Sequence, residues 1–147
     1  MRKLPVYQRR VKAAIEKQRA AMYQETLGHL SFRDRRELAE GNLDRDTMKA
    51  LRDTSVAEAT ALLVYDPLAY VRFGLTINDK APACVIERLI RDDDPAVRFA
   101  ALQNPNALPS VAESLSTDPD RQVRKLAKLV VSLRTQQTPH KLLTGKP

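Results

Sequence analysis

The apolar residues of this chain recur with a helical period, and from residue 66 onward the pattern repeats every 26 residues. Val71, Val97 and Val123 stand at equivalent places, and each is followed by an arginine. Apolar residues at steps of three and four predict amphipathic helices. A fixed period of roughly 20–50 residues predicts stacked units that share one core. We therefore expect an all-α chain in which each unit covers the apolar face of its neighbour.

Each unit is predicted to hold a first helix and a shorter second one. The first helices are expected over 66–77, 94–103 and 118–133, and the second ones over 55–64, 82–90 and 109–116. An Asp-Pro pair precedes each first helix, and we expect the Asp to accept from the free N–H groups of the first turn. In the middle unit this pair lies closer to Val-Arg, which predicts a later start for that helix.

The N-terminal part departs from the period. Residues 4–27 predict one basic amphipathic helix, whose apolar side chains we expect to pack on the first unit. A membrane surface or a phosphate backbone remains open as an alternative for this helix. A Ser-x-x-Asp pattern at Ser31 predicts a second helix through Ala39. Asp44 or Asp46 is expected to cap a third helix.

The resulting organisation has three parts. They are a basic helical region with a degenerate capping unit over 1–54, helical units over 55–134 and a flexible tail over 135–147. Charge follows a similar division, although the chain carries +7 overall. Residues 1–36 and 121–147 each carry +7, while 37–120 carry −7. This asymmetry predicts a polyanionic partner, or attraction between the ends of one copy and the middle of another.

Several of these residues also form a family pattern. An Asp-Pro pair before Val-Arg, then Asn-Pro with a second Pro, then a Leu-containing helix closing on Asp, resembles the leucine-rich-repeat-variant units of the HEAT-like class. The resemblance covers about residues 55–133. It implies a short right-handed α-solenoid with an N-terminal helical cap, and an interaction surface without a reaction. The iron–sulfur cluster of one described member is not carried over, because residues 1–54 contain no cysteine.

Arg72, Arg98 and Arg124 form a ladder with one guanidinium in each unit. Such a ladder suits a polyanion, since Arg binds phosphate or carboxylate through two parallel hydrogen bonds. The other interpretation is structural, because Asp92 and Asp118 recur with the same period. We favour ion pairs with these acids.

Catalytic and metal-binding arrangements are not predicted. His29 and His140 lie far apart in sequence, and Cys84 occupies an apolar helix position where a buried, inert thiol is expected. The run Asp92-Asp93-Asp94 lacks the spacing of a calcium loop, so helix capping explains it better. We therefore expect no enzyme activity, no metal and no cofactor.

Function is consequently predicted as a non-catalytic adaptor or scaffold that binds a protein through its acidic central surface. The acids in this surface are Glu87, Asp92, Asp93, Glu113 and Asp120. The alternative is a nucleic-acid-binding protein whose basic ends contact phosphates. The cations in those ends are Arg9, Arg10, Lys12, Lys17, Arg121, Lys125 and Lys128.

Partners and location follow from composition. A protein partner is predicted first, DNA or RNA second, and self-association stays open. No stretch approaches the roughly 20 apolar residues that span a bilayer, so no membrane is expected. The basic start lacks the apolar core of a signal peptide, which predicts a cytoplasmic protein.

Overall fold

The computed structural model describes residues 4–137, and every regular element in that range is helical. Besides a 3-10 turn at Leu63–Tyr65, these residues form nine α-helices. The helices are α1 (Val6–Leu27), α2 (Phe32–Glu40), α3 (Arg45–Ala50), α4 (Val56–Leu62), α5 (Ala69–Thr76), α6 (Ala83–Leu89), α7 (Pro95–Gln103), α8 (Pro109–Ser114) and α9 (Arg121–Gln137). An all-α fold is therefore confirmed for this part of the chain.

Side-chain caps define the starts of the early helices. The oxygens of Ser31, Asp44 and Ser55 accept from the backbone N–H three residues onward, at 3.1, 2.7 and 3.1 Å. Gly41 ends α2 in the left-handed conformation, with φ 84°, which costs a residue without a Cβ little. The predicted caps at Ser31 and Asp44 are confirmed.

The later starts differ from the Asp-Pro prediction. Helices α5, α7 and α9 begin at Ala69, Pro95 and Arg121, in one register 26 residues apart, so the expected later start of the middle helix is wrong. Only α7 has Asp at the cap and Pro at its first position. Asp66 and Asp118 lie further upstream, in a turn that precedes the helix. There each carboxylate accepts the N–H of the residue two positions on.

Packing follows a simple order along the chain. Helix α2 contacts α5, α5 contacts α7, and α7 contacts α9. The shorter helices pack beside this series. Helix α6 contacts α5 and α7, and α8 contacts α9. Val71, Val97 and Val123 are fully buried between these elements, as their equivalent positions predict. Gly74 brings α5 close to α2, since a Cβ there would lie 3.0 Å from that of Ala39.

Helix α1 does not follow the prediction. Among its apolar residues only Tyr23 and Leu27 are buried, while Leu4, which precedes the helix, and Tyr7, Val11, Ile15 and Met22 within it are exposed. Helix α1 contacts α4 and the 3-10 turn, and its Glu16 pairs with Arg88 of α6. The expected packing of the whole apolar stripe on the first unit is therefore wrong. Residues 135–137, which were predicted to begin a flexible tail, continue α9, and 138–147 lie outside the described residues.

Candidate interaction surfaces

Two ion pairs connect successive long helices. Arg72 donates from Nε and Nη2 to the carboxylate of Asp92 at 2.8 and 3.1 Å, and Arg98 binds Asp118 in the same way at 3.0 and 2.9 Å. The carboxylate side chains are only 7% and 4% exposed. The hydrogen bond that Arg72 donates to Asp92 raises the pKa of Arg72, against the lowering effect of burial. The structural interpretation of these arginines is confirmed at both places.

The third nitrogen of each guanidinium binds the backbone. Nη1 donates to the carbonyl oxygen six positions earlier, at 2.7, 2.8 and 2.7 Å for Arg72, Arg98 and Arg124. These carbonyls belong to Asp66, Asp92 and Asp118. Each arginine is therefore oriented by the turn before its own helix, and the Nε–Nη2 edges of Arg72 and Arg98 face the following unit.

Arg35 supplies an earlier member of this series that the sequence prediction missed. Its Nε lies 3.0 Å from Oδ2 of the buried Asp66, an ion pair rather than a well-aligned hydrogen bond, and the hydroxyl of Tyr23 donates to the same carboxylate. The separation of Arg35 from Asp66 is 31 residues, against 20 in the later pairs. The eleven extra residues accommodate α3.

Buried asparagines give the same register independently. Asn104 donates to the carbonyl of Thr76 at 2.8 Å, and Asn78 donates to that of Ala39 at 3.2 Å. Thr76 and Ala39 are 37 residues apart, as are Arg72 and Arg35. A comparison that allowed an eleven-residue insertion would have aligned α2 with α5. A fixed period of 26 could not, because it predicts the degenerate capping unit over 40–53, after α2.

Internal contacts engage the five predicted acids to different degrees. Asp92 is held by Arg72, and Asp120 accepts from the first N–H groups of α9 at 2.9 and 3.0 Å. Glu87 lines a groove and lies 4.0 Å from Arg91, while Asp93 and Glu113 are exposed. Asp93 lines a neighbouring depression together with Asp92, Arg88 and Arg91. Binding of a partner by these acids stays a prediction.

A groove of about 510 Å³ lies between α1, α4, the 3-10 turn and α6. Its apolar lining includes Met22, Leu62, Tyr65 and Val85. Arg19 donates to the Tyr65 hydroxyl at 3.0 Å, a hydrogen bond that raises the pKa of this arginine, and Arg88 lies over the Tyr65 ring.

Cys84 also lines this groove. The prediction of a buried thiol is wrong, because α6 directs Val85, Ile86 and Leu89 into the core and turns Cys84 toward solvent.

The first half of α1 carries an uncovered apolar stripe, which we call the α1 stripe. Tyr7, Val11 and Ile15 lie one helical turn apart and are 77%, 40% and 43% exposed. At about 100° per residue, these three centre about 120° around the helix from Tyr23 and 160° from Leu27, the residues that anchor it. The stripe therefore faces away from the buried side of α1.

Cations border the α1 stripe on both sides. Arg10 and Lys17 lie along one side and Lys12 and Arg19 along the other, as the helical period places them. Arg9 lies on the opposite face. All five are exposed, and of these Arg19 contacts another element through the Tyr65 hydroxyl.

The other predicted cations are on α9. Arg121, Lys125 and Lys128 are exposed and share one side of that helix. Helix α9 packs on α7 and α8, while α1 packs on α4 and the 3-10 turn. The two basic groups therefore belong to opposite ends of the packing order and do not merge into one surface.

Within residues 4–137, no group of three or more His, Cys, Asp or Glu side chains is arranged to hold a metal ion. His29 Nε2 lies 2.9 Å from the carbonyl oxygen of Ala50, a structural contact, and His140 lies outside the described residues. In the same range, the helices fall short of the combined length and apolarity that crossing a bilayer requires.

Comparisons with protein-family models, with curated proteins and with solved structures found no match to this chain. The resemblance to leucine-rich-repeat-variant units therefore depends on the residues quoted for it.

Proposed function

We propose that this protein is a non-catalytic interaction module that binds a helix of an acidic partner protein along the α1 stripe. The observation that carries the proposal is the exposure of Tyr7, Val11 and Ile15 on a helix whose buried residues, Tyr23 and Leu27, lie in its last turns. In this proposal α2 to α9 form a short right-handed α-solenoid, which serves as the base from which α1 projects.

A helix such as α1 needs more than its own hydrogen bonds. Most helical stability in proteins comes from packing of an apolar face, and apolar side chains clustered on an exposed face are typical of interaction sites. Leu4, Tyr7, Val11 and Ala14 follow steps of three, four and three, the spacing of a helix–helix seam. Such a narrow seam favours a partner helix over a membrane surface, which takes a broader apolar face.

Charge selects the kind of partner. Between Lys3 and Arg19 the chain holds six cations and one acid, Glu16, which is already paired with Arg88 at 2.7 Å. Two copies pairing through this helix would bring two cationic segments together. An acidic helix would instead place carboxylates beside Arg10, Lys12 and Lys17 while its apolar side chains cover the seam.

The test compares charge placed on the stripe with charge placed off it. Val11→Glu with Ile15→Glu puts two carboxylates on the α1 stripe. Ala13→Glu with Ala20→Glu adds the same charge to the other face of α1, where both alanines are exposed. Tagged forms would be recovered from the native cells, and a co-purified acidic protein would then be bound directly as a purified helix.

The expected result is stoichiometric binding by the wild type and the Ala13/Ala20 variant, with loss in the Val11/Ile15 variant. Equal binding by all three forms would contradict the proposal. So would a wild-type mass in solution equal to a dimer that the Val11/Ile15 variant disrupts, since the stripe would then be covered by a second copy.

Binding of nucleic acid is the second candidate. It is supported by the exposed cations of α1 and by Arg121, Lys125 and Lys128 on α9, a helix without acids. Affinity for duplex DNA or single-stranded RNA should then fall linearly with salt on logarithmic axes, and Lys125→Glu with Lys128→Glu should flatten the slope. Absence of binding at low salt would exclude this candidate.

A further inference from the structure

The series of oriented arginines has one member whose carboxylate is missing. Arg124 is held as Arg72 and Arg98 are, with Nη1 donating to the carbonyls of Asp118 and Pro119 at 2.7 and 3.4 Å. Its Nε and Nη2, the edge that binds Asp92 and Asp118 in the earlier pairs, have no hydrogen-bond partner among residues 4–137. The backbone thus presents an unoccupied receptor for a carboxylate.

Residues 121–147 contain no Asp or Glu, so none of them offers Arg124 a side-chain carboxylate as Asp92 does for Arg72. The first unit of a second copy offers no equivalent acid either. The position that aligns with Asp66, Asp92 and Asp118 in the first unit is His29, which contacts Ala50.

The surroundings of Arg124 indicate the chemistry of an occupant. Arg121, Lys125 and Lys128 lie on the exposed side of α9 next to it. Leu129 and Leu133 are about 140° and 180° around the helix from Arg124 and do not share its surface. A ligand for this surface carries negative charge, and a carboxylate held in a turn, as Asp92 and Asp118 are, matches the Nε–Nη2 edge in charge and in geometry.

We infer that the end of α9 binds an acidic turn of another polypeptide, whose Asp carboxylate pairs with the Nε–Nη2 edge of Arg124. The internal pairs supply the template. In each, the Asp also accepts the N–H of the residue two positions on, at 2.9 Å, which fixes the carboxylate for bidentate contact. This site is separate from the α1 stripe, so the failure of either leaves the other standing.

A peptide with the sequence of residues 107–120 is a suitable probe, because in the folded chain this segment presents Asp118 to Arg98. The full chain would be titrated with it while the arginine Nε–H signals are followed by NMR. Its Asp118→Asn form is the matched control peptide. Arg124→Lys keeps the charge but removes the two-bond edge, and Arg121→Lys makes the same change at an exposed neighbour.

The expected result is a saturable shift of the Arg124 Nε–H signal. Asp118→Asn in the peptide or Arg124→Lys in the protein should weaken binding on the order of tenfold, and Arg121→Lys should leave it unchanged. Since the control peptide leaves the protein intact, a folding defect in the Arg124 variant would not obscure the test.

Four outcomes would overturn the inference. They are no saturable shift, a shift at Arg98 from displacement of the native segment, equal weakening by the Arg121 change, and tighter occupation of the same edge by a duplex oligonucleotide. The last outcome would assign the receptor to phosphate.

Discussion

The middle of this molecule and the first half of α1 are both helical, yet they are held in opposite ways. Between α2 and α9, buried carboxylates, arginines and asparagines bridge each long helix to the next. From Val6 to Ile15, α1 projects apolar and cationic side chains into solvent. The comparison separates residues that fix the fold from residues that are free to bind.

Polar contacts in the middle specify register more than they add stability. A buried ion pair gains little over apolar packing, but a register error would leave charges without partners in a low-dielectric core. Asp66, Asp92 and Asp118 each meet an arginine, so the order α2, α5, α7, α9 is encoded in side-chain chemistry. One hydrogen bond connects α1 to these ion pairs, the one that the hydroxyl of Tyr23 donates to Asp66.

The largest effect is expected from breaking one buried pair. Arg98→Ala removes the partner of Asp118, whose side chain is 4% exposed, and should lower the free energy of unfolding by about 3 kcal/mol. Urea denaturation measures the loss. Arg91→Ala, at an arginine that is exposed and 4.0 Å from Glu87, should cost under about 0.5 kcal/mol. Equal losses would mean that the ladder does not constrain the fold.

A smaller loss is expected from the asparagine series. Asn104→Ala removes a side chain that donates to the carbonyls of Thr76 and Asn78 at 2.8 and 3.0 Å and leaves these buried acceptors short of a donor. We expect a loss of about 2 kcal/mol in urea denaturation. The exposed Asn42 gives the matched control, since Asn42→Ala breaks only a 3.3 Å contact with Glu40. A loss at position 42 as large as that at 104 would contradict this assignment.

The buried valines and the ion pairs of the middle region could be predicted from sequence, because each depends on only a few residues. The 26-residue period predicted burial of Val71, Val97 and Val123, and the recurrence of Asp with Arg predicted two ion pairs. The Asp-Pro cap failed at α5 and α9, because an Asp that accepts from a turn N–H is not free to cap the helix.

Long-range placement could not be predicted in the same way. An insertion of eleven residues hid the match between α2 and α5, and no pattern within α1 states how much of it meets another helix. Helical period predicts which residues share a face, but only the path of the chain decides whether that face is covered. The sequence therefore predicted the helix that carries the α1 stripe, but it wrongly predicted that this stripe packs on the first unit.

Tyr23 connects the two regions, so its removal tests how firmly α1 is held. Tyr23→Phe keeps the ring and removes the hydroxyl that donates to Asp66, while Arg35 remains beside that carboxylate. We expect a loss of about 1 kcal/mol in the free energy of unfolding near neutral pH. If Tyr23→Phe also lowered the helix content by the amount that α1 contributes, this hydrogen bond alone would hold the helix in place.

The same tyrosine gives a pH dependence. Burial, and then the hydrogen bond to Asp66, raise the pKa of Tyr23 above its ordinary value. A raised folded pKa means that its contribution is fully present below the unfolded pKa of about 10 and is lost as pH rises beyond it. Stability of the wild type should therefore fall more steeply above that pH than stability of Tyr23→Phe. Parallel curves would contradict the assignment.

The smallest effect is expected on the α1 stripe. Ile15→Ser exchanges residues of similar helix propensity at a position that is 43% exposed, so the free energy of unfolding should change by less than about 0.5 kcal/mol. Leu27→Ala, on the buried face of the same helix, should cost about 3 kcal/mol. Denaturation at two protein concentrations measures both. A loss at Ile15 that grows with concentration would mean that a second copy covers the stripe, whereas a negligible loss leaves it free for a partner.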